Sequence, residues 1–280
     1  MKISTQNTLG LWVLGLLLSS CASSFTRTRD ITFDPVNQLK LDVYSPKNID
    51  QPKAVCIFVH GGRWNSGRKS QYKFFGKRLA SKGVVAVIPD YRLSPRTTYR
   101  GATSDVAMAI KWTKENINNY GGRENEIFIA GHSAGGHLAA LVSTDSSYFD
   151  SLKLHNPIWG TLLIDAFGLD MYTFLSDSSF KKHKTYYAMF GNDPEKWKNG
   201  SPIFHLRDGL APFLIFVGSK TYPVIVESNN TFMKALMKYQ PATKPIIVMK
   251  KKHIPMMLQF YKSRNKGYQE IVNFITVQAL

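Results

Sequence analysis

The sequence predicts an α/β fold: a mostly parallel central sheet flanked by helices, with one small inserted segment. Three observations carry this reading. Short, dominantly apolar runs at Ala54 to Val59, Val84 to Ile88 and Glu126 to Ala130 suit strands buried on both faces. Stretches with helical spacing, Tyr72 to Ser81 and Gly101 to Tyr120, separate those runs. The alternation then continues to the C-terminus, as a parallel sheet with crossover helices requires. The chain of 280 residues, 44% hydrophobic and 12% aromatic, supplies a full-sized core. No repeat or low-complexity linker marks a second module.

Residues 1–21 differ in character from the rest. After Lys2, the run Leu9 to Leu18 is apolar but short for a bilayer span, and it reads as an export signal. It ends in Leu18-Ser19-Ser20-Cys21-Ala22, which resembles the lipobox of bacterial lipoproteins. The resemblance implies cleavage before Cys21, lipid on its thiol, and a place in the bacterial cell envelope, anchored to a membrane. Residues 22–37 then read as a tether and 38–280 as the folded domain. The only other cysteine, Cys56, lies within an apolar run and is expected to act as a small buried hydrophobe, so no disulfide is expected.

The formal charge of +17 is strongly basic, with the densest clusters at Lys181, Lys182 and Lys184 and at Lys250 to Lys252. A solvated basic face accounts for this, and an anionic membrane surface would add attraction to a lipid anchor. No nucleic-acid-binding module is present, so no nucleic-acid partner is expected.

Along the chain, alternation in Leu39 to Tyr44 predicts an antiparallel strand before the first buried one. Beyond Ala130 follow a helix starting near Ala134, strands at Thr161 to Ile164 and Phe213 to Val217, a helix from Val226 to Met237, a strand at Pro245 to Met249, and a last helix near Tyr268. Residues 171–210 do not alternate cleanly and are read as a cap insertion, left through the turn Ser201-Pro202. Its aromatic residues Tyr172, Phe174, Tyr186, Tyr187 and Phe190 are candidates to cover an apolar ligand.

The chemistry concentrates in two glycine-rich turns. Gly131-His132-Ser133-Ala134-Gly135-Gly136 stands between a predicted strand and a predicted helix, the G-x-S-x-G nucleophile-elbow pattern, and makes Ser133 the candidate nucleophile. An alcohol needs a base to remove its proton and donors to hold the oxyanion. His60-Gly61-Gly62-Arg63-Trp64 follows the strand Ala54 to Val59, so the bare amides of Gly61 and Gly62, with that of Ala134, are candidate donors. Arg63 and Trp64 either shape a pocket or pack the loop, and His60 is read as ordering the loop.

Taken together, His-Gly-Gly-Arg-Trp, the elbow Gly-His-Ser-Ala-Gly-Gly and Asp90-Tyr91-Arg92-Leu93-Ser94-Pro95 resemble the α/β-hydrolase superfamily over roughly residues 38 to 278. The likeness is to its hormone-sensitive-lipase-like and feruloyl-esterase-like carboxylesterases. The resemblance implies the α/β-hydrolase fold, a small-molecule ester substrate, hydrolysis through an acyl-enzyme, and no metal or organic cofactor. It places the base after the last strand, where Lys250-Lys251-Lys252-His253 offers His253. His132 and His137 belong to the elbow and its helix, and His155, His183 and His205 lie in or near the cap.

The third member of the triad departs from the pattern. Relatives carry an acid a few residues beyond the strand corresponding to Phe213 to Val217, but here the loop reads Gly218-Ser219-Lys220-Thr221-Tyr222-Pro223. Asp165, Asp170 and Glu227 are the substitutes. Asp165 is preferred because some α/β-hydrolases carry the acid at the end of that earlier strand. Asp170 also suits a structural role, and Glu227 suits a helix start. Two further readings use the same fold: an amide-cleaving hydrolase of the arylformamidase or peptidase kind, and a catalytically weakened surface binding protein, motivated by Thr221 standing where an acid is usual.

Overall fold

Strands rich in Val, Ile and Phe with nothing polar between them can be buried only by being covered on both faces, and that requirement shapes the molecule. The computed structural model describes residues 24–177 and 184–278. Its strands are β1 (Phe25–Asp34), β2 (Leu39–Pro46), β3 (Lys53–Val59), β4 (Val85–Pro89), β5 (Gly122–His132), β6 (Ile158–Ile164), β7 (Phe213–Gly218) and β8 (Ile246–Val248). They form one sheet in the order β1-β2-β4-β3-β5-β6-β7-β8. β2 runs antiparallel to both of its neighbours, and the strands from β4 across to β8 are parallel.

The helices are α1 (Lys73–Ala80), α2 (Tyr99–Asn116), α3 (Ala134–Thr144), α4 (Ser147–Asp150), α5 (Met171–Ser176), α6 (Lys184–Phe190), α7 (Pro194–Asn199), α8 (Pro223–Leu236), α9 (His253–Leu258) and α10 (Lys266–Gln278). Strand alternation deals the core into two layers. Val55, Ile57 and Val59 of β3 pack with Ile127 and Ile129 of β5 beneath α2 and α3. Cys56 and Phe58 turn the other way, toward α1, α9 and α10. Cys56 is fully buried and unpaired, and burial pushes its thiol up to about 12. Among the described residues no helix is long and apolar enough to cross a membrane.

The start of the domain differs from the expected tether over 22–37. Residues 25–34 are β1, paired with β2 from Phe25↔Pro46 to Asp34↔Leu39. Its threonines and arginines hid it, because an edge strand needs only one covered face and tolerates polar residues on the other. Asp34 closes the hairpin, accepting the N–H groups of Val36 (3.0 Å) and Asn37 (3.1 Å) and the Asn37 side-chain amide (2.6 Å). Between β6 and β7, the described residues of the 171–210 insertion include the short helices α5 to α7 and a final turn at Pro202–His205. Phe174, Phe190 and Trp197 seal them onto the main core.

A buried charge cluster ties this edge to the sheet. The Lys69 ammonium donates to Asp42 (2.7 Å) and Asp30 (2.6 Å), while Arg27 donates to the other Asp42 oxygen (2.6 Å). Asp42 is fully buried, and although burial raises its pKa, the hydrogen bonds from Lys69 and Arg27 prevail and hold it below the usual carboxylate range. The Lys69 amide also donates to Asp90 at the end of β4 (2.7 Å). Lys69→Met is expected to cost on the order of 3 kcal/mol, because it leaves the buried Asp42 short of a cation. Asp30→Asn, at the exposed end of the cluster, should cost far less; urea unfolding of both variants checks the order.

Among the described residues three histidines are buried: His60, His132 and His137. Burial lowers their pKa to about 4, about 3 and about 4 respectively. They are neutral in the fold, whereas in the unfolded chain each takes up a proton near pH 6.5. Their contribution to stability is complete above pH 6.5 and is lost as pH falls toward 4. Between pH 6 and 5 the unfolding free energy should fall by on the order of 3 kcal/mol per pH unit. Denaturant titrations that are flat across that interval would contradict the assignment.

Candidate active site

In a parallel sheet the loops leaving the carboxyl ends of adjacent strands converge, and five of them meet here, after β3, β5, β6, β7 and β8. The loop after β5 turns abruptly into α3. Ser133, at its apex, has φ +56° and ψ −123°, a conformation that side-chain-bearing residues avoid. The turn leaves no room for Cβ atoms on its flanks: one at Gly131 would stand 2.2 Å from the Gly135 carbonyl oxygen, and one at Gly135 would stand 2.2 Å from that of Val59. Hydrogen bonds hold the strained residue. Its N–H donates to Ile164 O (3.2 Å), and its carbonyl accepts from His137 N (3.1 Å) and Phe167 N (3.2 Å).

His253 is the first residue of α9, close behind β8. Its Nε2 lies 2.9 Å from Ser133 Oγ and its Nδ1 lies 2.8 Å from Asp165 Oδ2. With Nδ1–H donating to the carboxylate, Nε2 is left as the acceptor for the serine hydroxyl. Asp165 immediately follows β6, is fully buried, and is held at φ +49° by its own N–H donating to Phe216 O (2.8 Å). Its Oδ1 accepts from Gly218 N (2.8 Å), and its Oδ2 also accepts the Thr221 hydroxyl. The carboxylate therefore comes from the end of β6, while the last residue of β7 and the loop after it supply donors that pin it. The other two substitutes do not join this chain. Asp170 caps α5, accepting from Thr173 N (2.9 Å), and Glu227 is exposed on α8.

The loop after β3 is equally constrained. Gly62 has φ +132°, and a Cβ there would lie 2.1 Å from Ser66 O. Its carbonyl gathers the amides of Asn65 (3.2 Å) and Ser66 (3.0 Å) and the Ser66 hydroxyl (2.8 Å), closing the turn. Ala134 is the first residue of α3, where N–H groups have no acceptor within the helix. Gly61 differs from the expectation: its N–H donates to the Tyr72 hydroxyl (3.2 Å) rather than standing bare. Tyr72 was not singled out by sequence reasoning, and no local pattern marks it, since it reaches the loop from the turn before α1.

The remaining histidines are placed by their bonds. His60 Nδ1 lies 3.0 Å from Gly61 O, and its ring stacks on Tyr91 at 4.2 Å, which orders the loop. His137 accepts Trp64 Nε1–H at Nδ1 (3.2 Å) and donates from Nε2 to Gly200 O (2.7 Å), joining the β3 loop to α3 and the inserted helices. Trp64 is thus a packing residue, fully buried. His132 stacks on His253 with ring centroids 4.8 Å apart. Burial, then the neighbouring His253, keeps it neutral, so no second cation competes beside the base. His155 is exposed, and the half-buried His205 bonds to Asn199 O (2.9 Å). His183 and Cys21 lie outside the described residues.

Ser133 and His253 open into a cavity of about 720 Å³. Phe167, Phe174, Tyr186, Val224, Ile225 and Ile254 form its apolar walls, and Arg63, Gln71 and Tyr72 add polar groups. Of the expected aromatic cover, Phe174 and Tyr186 line this cavity. Phe190 is buried against Tyr99, Tyr172 packs on Phe204, and Tyr187 borders a separate surface depression. Among the described residues no group of three or more His, Cys, Asp or Glu side chains is placed to hold a metal ion. The arrangement can remove a proton from an alcohol, hold the resulting imidazolium against a buried carboxylate, and present peptide donors beside an apolar cleft.

Comparison with known proteins shows the family and the fold. The BD-FAE family model matches residues 41–236, which include the β3 loop, the elbow, Asp165 and Thr221. The isoprenylcysteine alpha-carbonyl methylesterase ICME of Arabidopsis thaliana is 28% identical over 265 residues, covering 88% of this chain and 61% of its own length. Esterase LipC of Mycobacterium tuberculosis is 31% identical over 223 residues, covering 75% of this chain and 55% of its own length. The chain thus spans about half to three-fifths of these curated relatives. Among solved structures, esterase B from Lactobacillus rhamnosis superposes with a TM-score of 0.77 at 17% identity, covering 91% of this chain and 87% of that one. Butyrate-bound esterase 2 of Thermogutta terrifontis gives 0.69 at 22% identity, covering 90% and 95%. Sheet order, elbow and family match converge: the chain belongs to the BD-FAE family and has the α/β-hydrolase fold.

Proposed function

We propose that the chain is a serine hydrolase that cleaves small carboxylic esters through an acyl-enzyme, held at a membrane of the bacterial cell envelope by lipid on Cys21. The observation that carries the catalytic reading is the unbroken hydrogen-bond path from Ser133 Oγ through His253 to Asp165. His253 takes the hydroxyl proton as Ser133 attacks the ester carbonyl, and the amides of Gly62 and Ala134 hold the oxyanion. Gly61 joins them only if the ligand displaces the Tyr72 hydroxyl from its amide. His253 then delivers its proton to the departing alcohol, leaving the acyl group on Ser133. Water, deprotonated by the same imidazole, attacks the acyl carbon, releases the carboxylic acid and restores the serine. Throughout, Asp165 keeps the imidazole oriented and offsets its transient charge.

Supporting the preference for esters over amides, the relatives and structural neighbours are named as esterases. The reading as a weakened binding protein loses its motive, since Thr221 serves the acid instead of replacing it. For the anchor, the support is the sequence Leu18-Ser19-Ser20-Cys21-Ala22 behind an apolar run. Cys21→Ser is the variant that removes the lipid acceptor.

Ser133→Ala should abolish both p-nitrophenyl acetate turnover and fluorophosphonate labelling without loss of folding. His253→Ala and Asp165→Asn should each lower kcat by roughly 10³- to 10⁴-fold. Asp170→Asn and Glu227→Gln should stay near wild type. Wild-type turnover by the Ser133 or His253 variant refutes the proposal.

Thr221→Val removes one donor from a buried carboxylate and should destabilise the fold by about 1–3 kcal/mol while lowering kcat. Thr221→Ser should restore both, as read by thermal melts and steady-state kinetics.

A further inference from the structure

The direction of β1 fixes which end of the sheet the N-terminal segment approaches. β1 is antiparallel to β2, and β2 is antiparallel to β4, so β1 runs the same way as the parallel strands and starts at their amino-terminal end. Phe25 accordingly pairs with Pro46, at the end of β2 remote from the site. Ser133, Asp165 and His253 all lie at the opposite, carboxyl-terminal end. β5 spans the sheet between these ends in eleven residues, about 33 Å at strand rise.

Six peptide units separate Leu18, the last residue of the apolar run, from Ser24, and three separate Cys21 from it. Fully extended, these reach no further than about 21 Å and about 10 Å. Neither lets the sheet stand with its catalytic end down on a bilayer that holds the segment, because Ser24 would then lie about 33 Å above it. The face around Ser24 is suited to contact anionic lipid. Lys47 N donates to Ser24 O (3.0 Å), the Lys77 ammonium stands 5.8 Å from the Phe25 ring centroid, and Lys82 is exposed next to Ser81, whose hydroxyl accepts from that of Ser24 (2.9 Å). No carboxylate lines the depression formed by Ser24, Lys47, Asn48, Ser81 and Gly83.

We infer that the domain docks on an anionic bilayer through this lysine-bearing amino-terminal end of the sheet, so that the cavity at Ser133 opens away from the membrane and receives water-soluble esters. The inference rests on the reading that the N-terminal segment is membrane-held. It selects among substrates, because an acyl chain embedded in the anchoring leaflet would have to leave the bilayer to reach Ser133. The competing surface is the mouth itself, where Lys250 to Lys252 precede His253 and Ile254 and Leu258 are exposed on α9. The short connection to Ser24 decides against it.

The test uses the full-length chain recovered from a bacterial membrane fraction and reconstituted in phosphatidylcholine–phosphatidylglycerol vesicles that carry a headgroup quencher. A thiol-reactive fluorophore is placed through Asn48→Cys in one variant and Leu258→Cys in another. Cys56 is buried, and dye uptake by the unsubstituted chain reports an unlipidated Cys21. The expected result is quenching several-fold stronger at position 48 than at 258, weakened when the vesicles contain phosphatidylcholine alone. Equal or stronger quenching at 258, or quenching at neither position, overturns the inference. So does recovery of the chain outside the membrane fraction. Turnover of p-nitrophenyl acetate in the same vesicles is scored separately, so loss of the esterase reading is distinguished from loss of the orientation. With the orientation correct, this soluble ester is cleaved far faster than a long-chain ester dissolved in the vesicle bilayer; the reverse preference also overturns it.

Discussion

The site depends on one buried carboxylate. Asp165 sits in a protein interior where an isolated negative charge is costly, and it is tolerated because the Gly218 amide, the Thr221 hydroxyl and the His253 ring all aim donors at it. Each donor comes from a different loop or strand end, so satisfying the charge also sets the mutual positions of β6, β7 and α9. The imidazole is then fixed in the tautomer that leaves Nε2 facing Ser133. Orientation of the base is thus a by-product of solvating an anion with protein groups.

The same economy governs the strained residues. Ser133 and Asp165 both stand at positive φ, and each is held by backbone bonds to a neighbouring strand end: Ser133 to Ile164 and Asp165 to Phe216. Strain of this kind persists where surrounding structure over-determines it. Around the β3 loop, Arg63 and Trp64 also have positive φ, and there the restraint is the buried Trp64 indole bonded to His137. The polar ring nitrogens of His60, His132 and His137 are used as hydrogen-bonding spacers whose neutrality is secured by burial. Acid would charge them in the unfolded chain first, which links the integrity of the site to pH well before the carboxylates titrate.

What was legible in the sequence was what is local. The elbow, the Gly61-Gly62 turn and the strand-helix alternation are written in consecutive residues, so Ser133, the β3 loop and most strands could be placed without coordinates. His253 was legible because only its place after the last strand was needed. Asp165 was named among three carboxylates, but Thr221 was read as a missing acid. Its side chain differs from an acid in being a donor, and its partner is 56 residues away in sequence. Tyr72 bonded to Gly61 was invisible for the same reason, since no periodicity encodes an eleven-residue reach from a turn to a loop. β1 escaped because edge strands carry little of the apolar signal by which buried strands are recognised.

β1 also changes what the chain's beginning means. A flexible tether over 22–37 would let the domain take any attitude to a membrane. A strand that starts at Phe25 and is zipped to β2 leaves almost no slack, so under the proposed anchor the sheet could not stand on a bilayer with its catalytic end down. In a parallel sheet the catalytic loops must gather at one end, and the chain can enter β1 only at the other once β2 is antiparallel to both neighbours. The antiparallel hairpin therefore does more than cover an edge. Had the chain begun directly at β2, it would have entered the sheet at the catalytic end, and an anchor there would have pressed the mouth of the cavity against the bilayer.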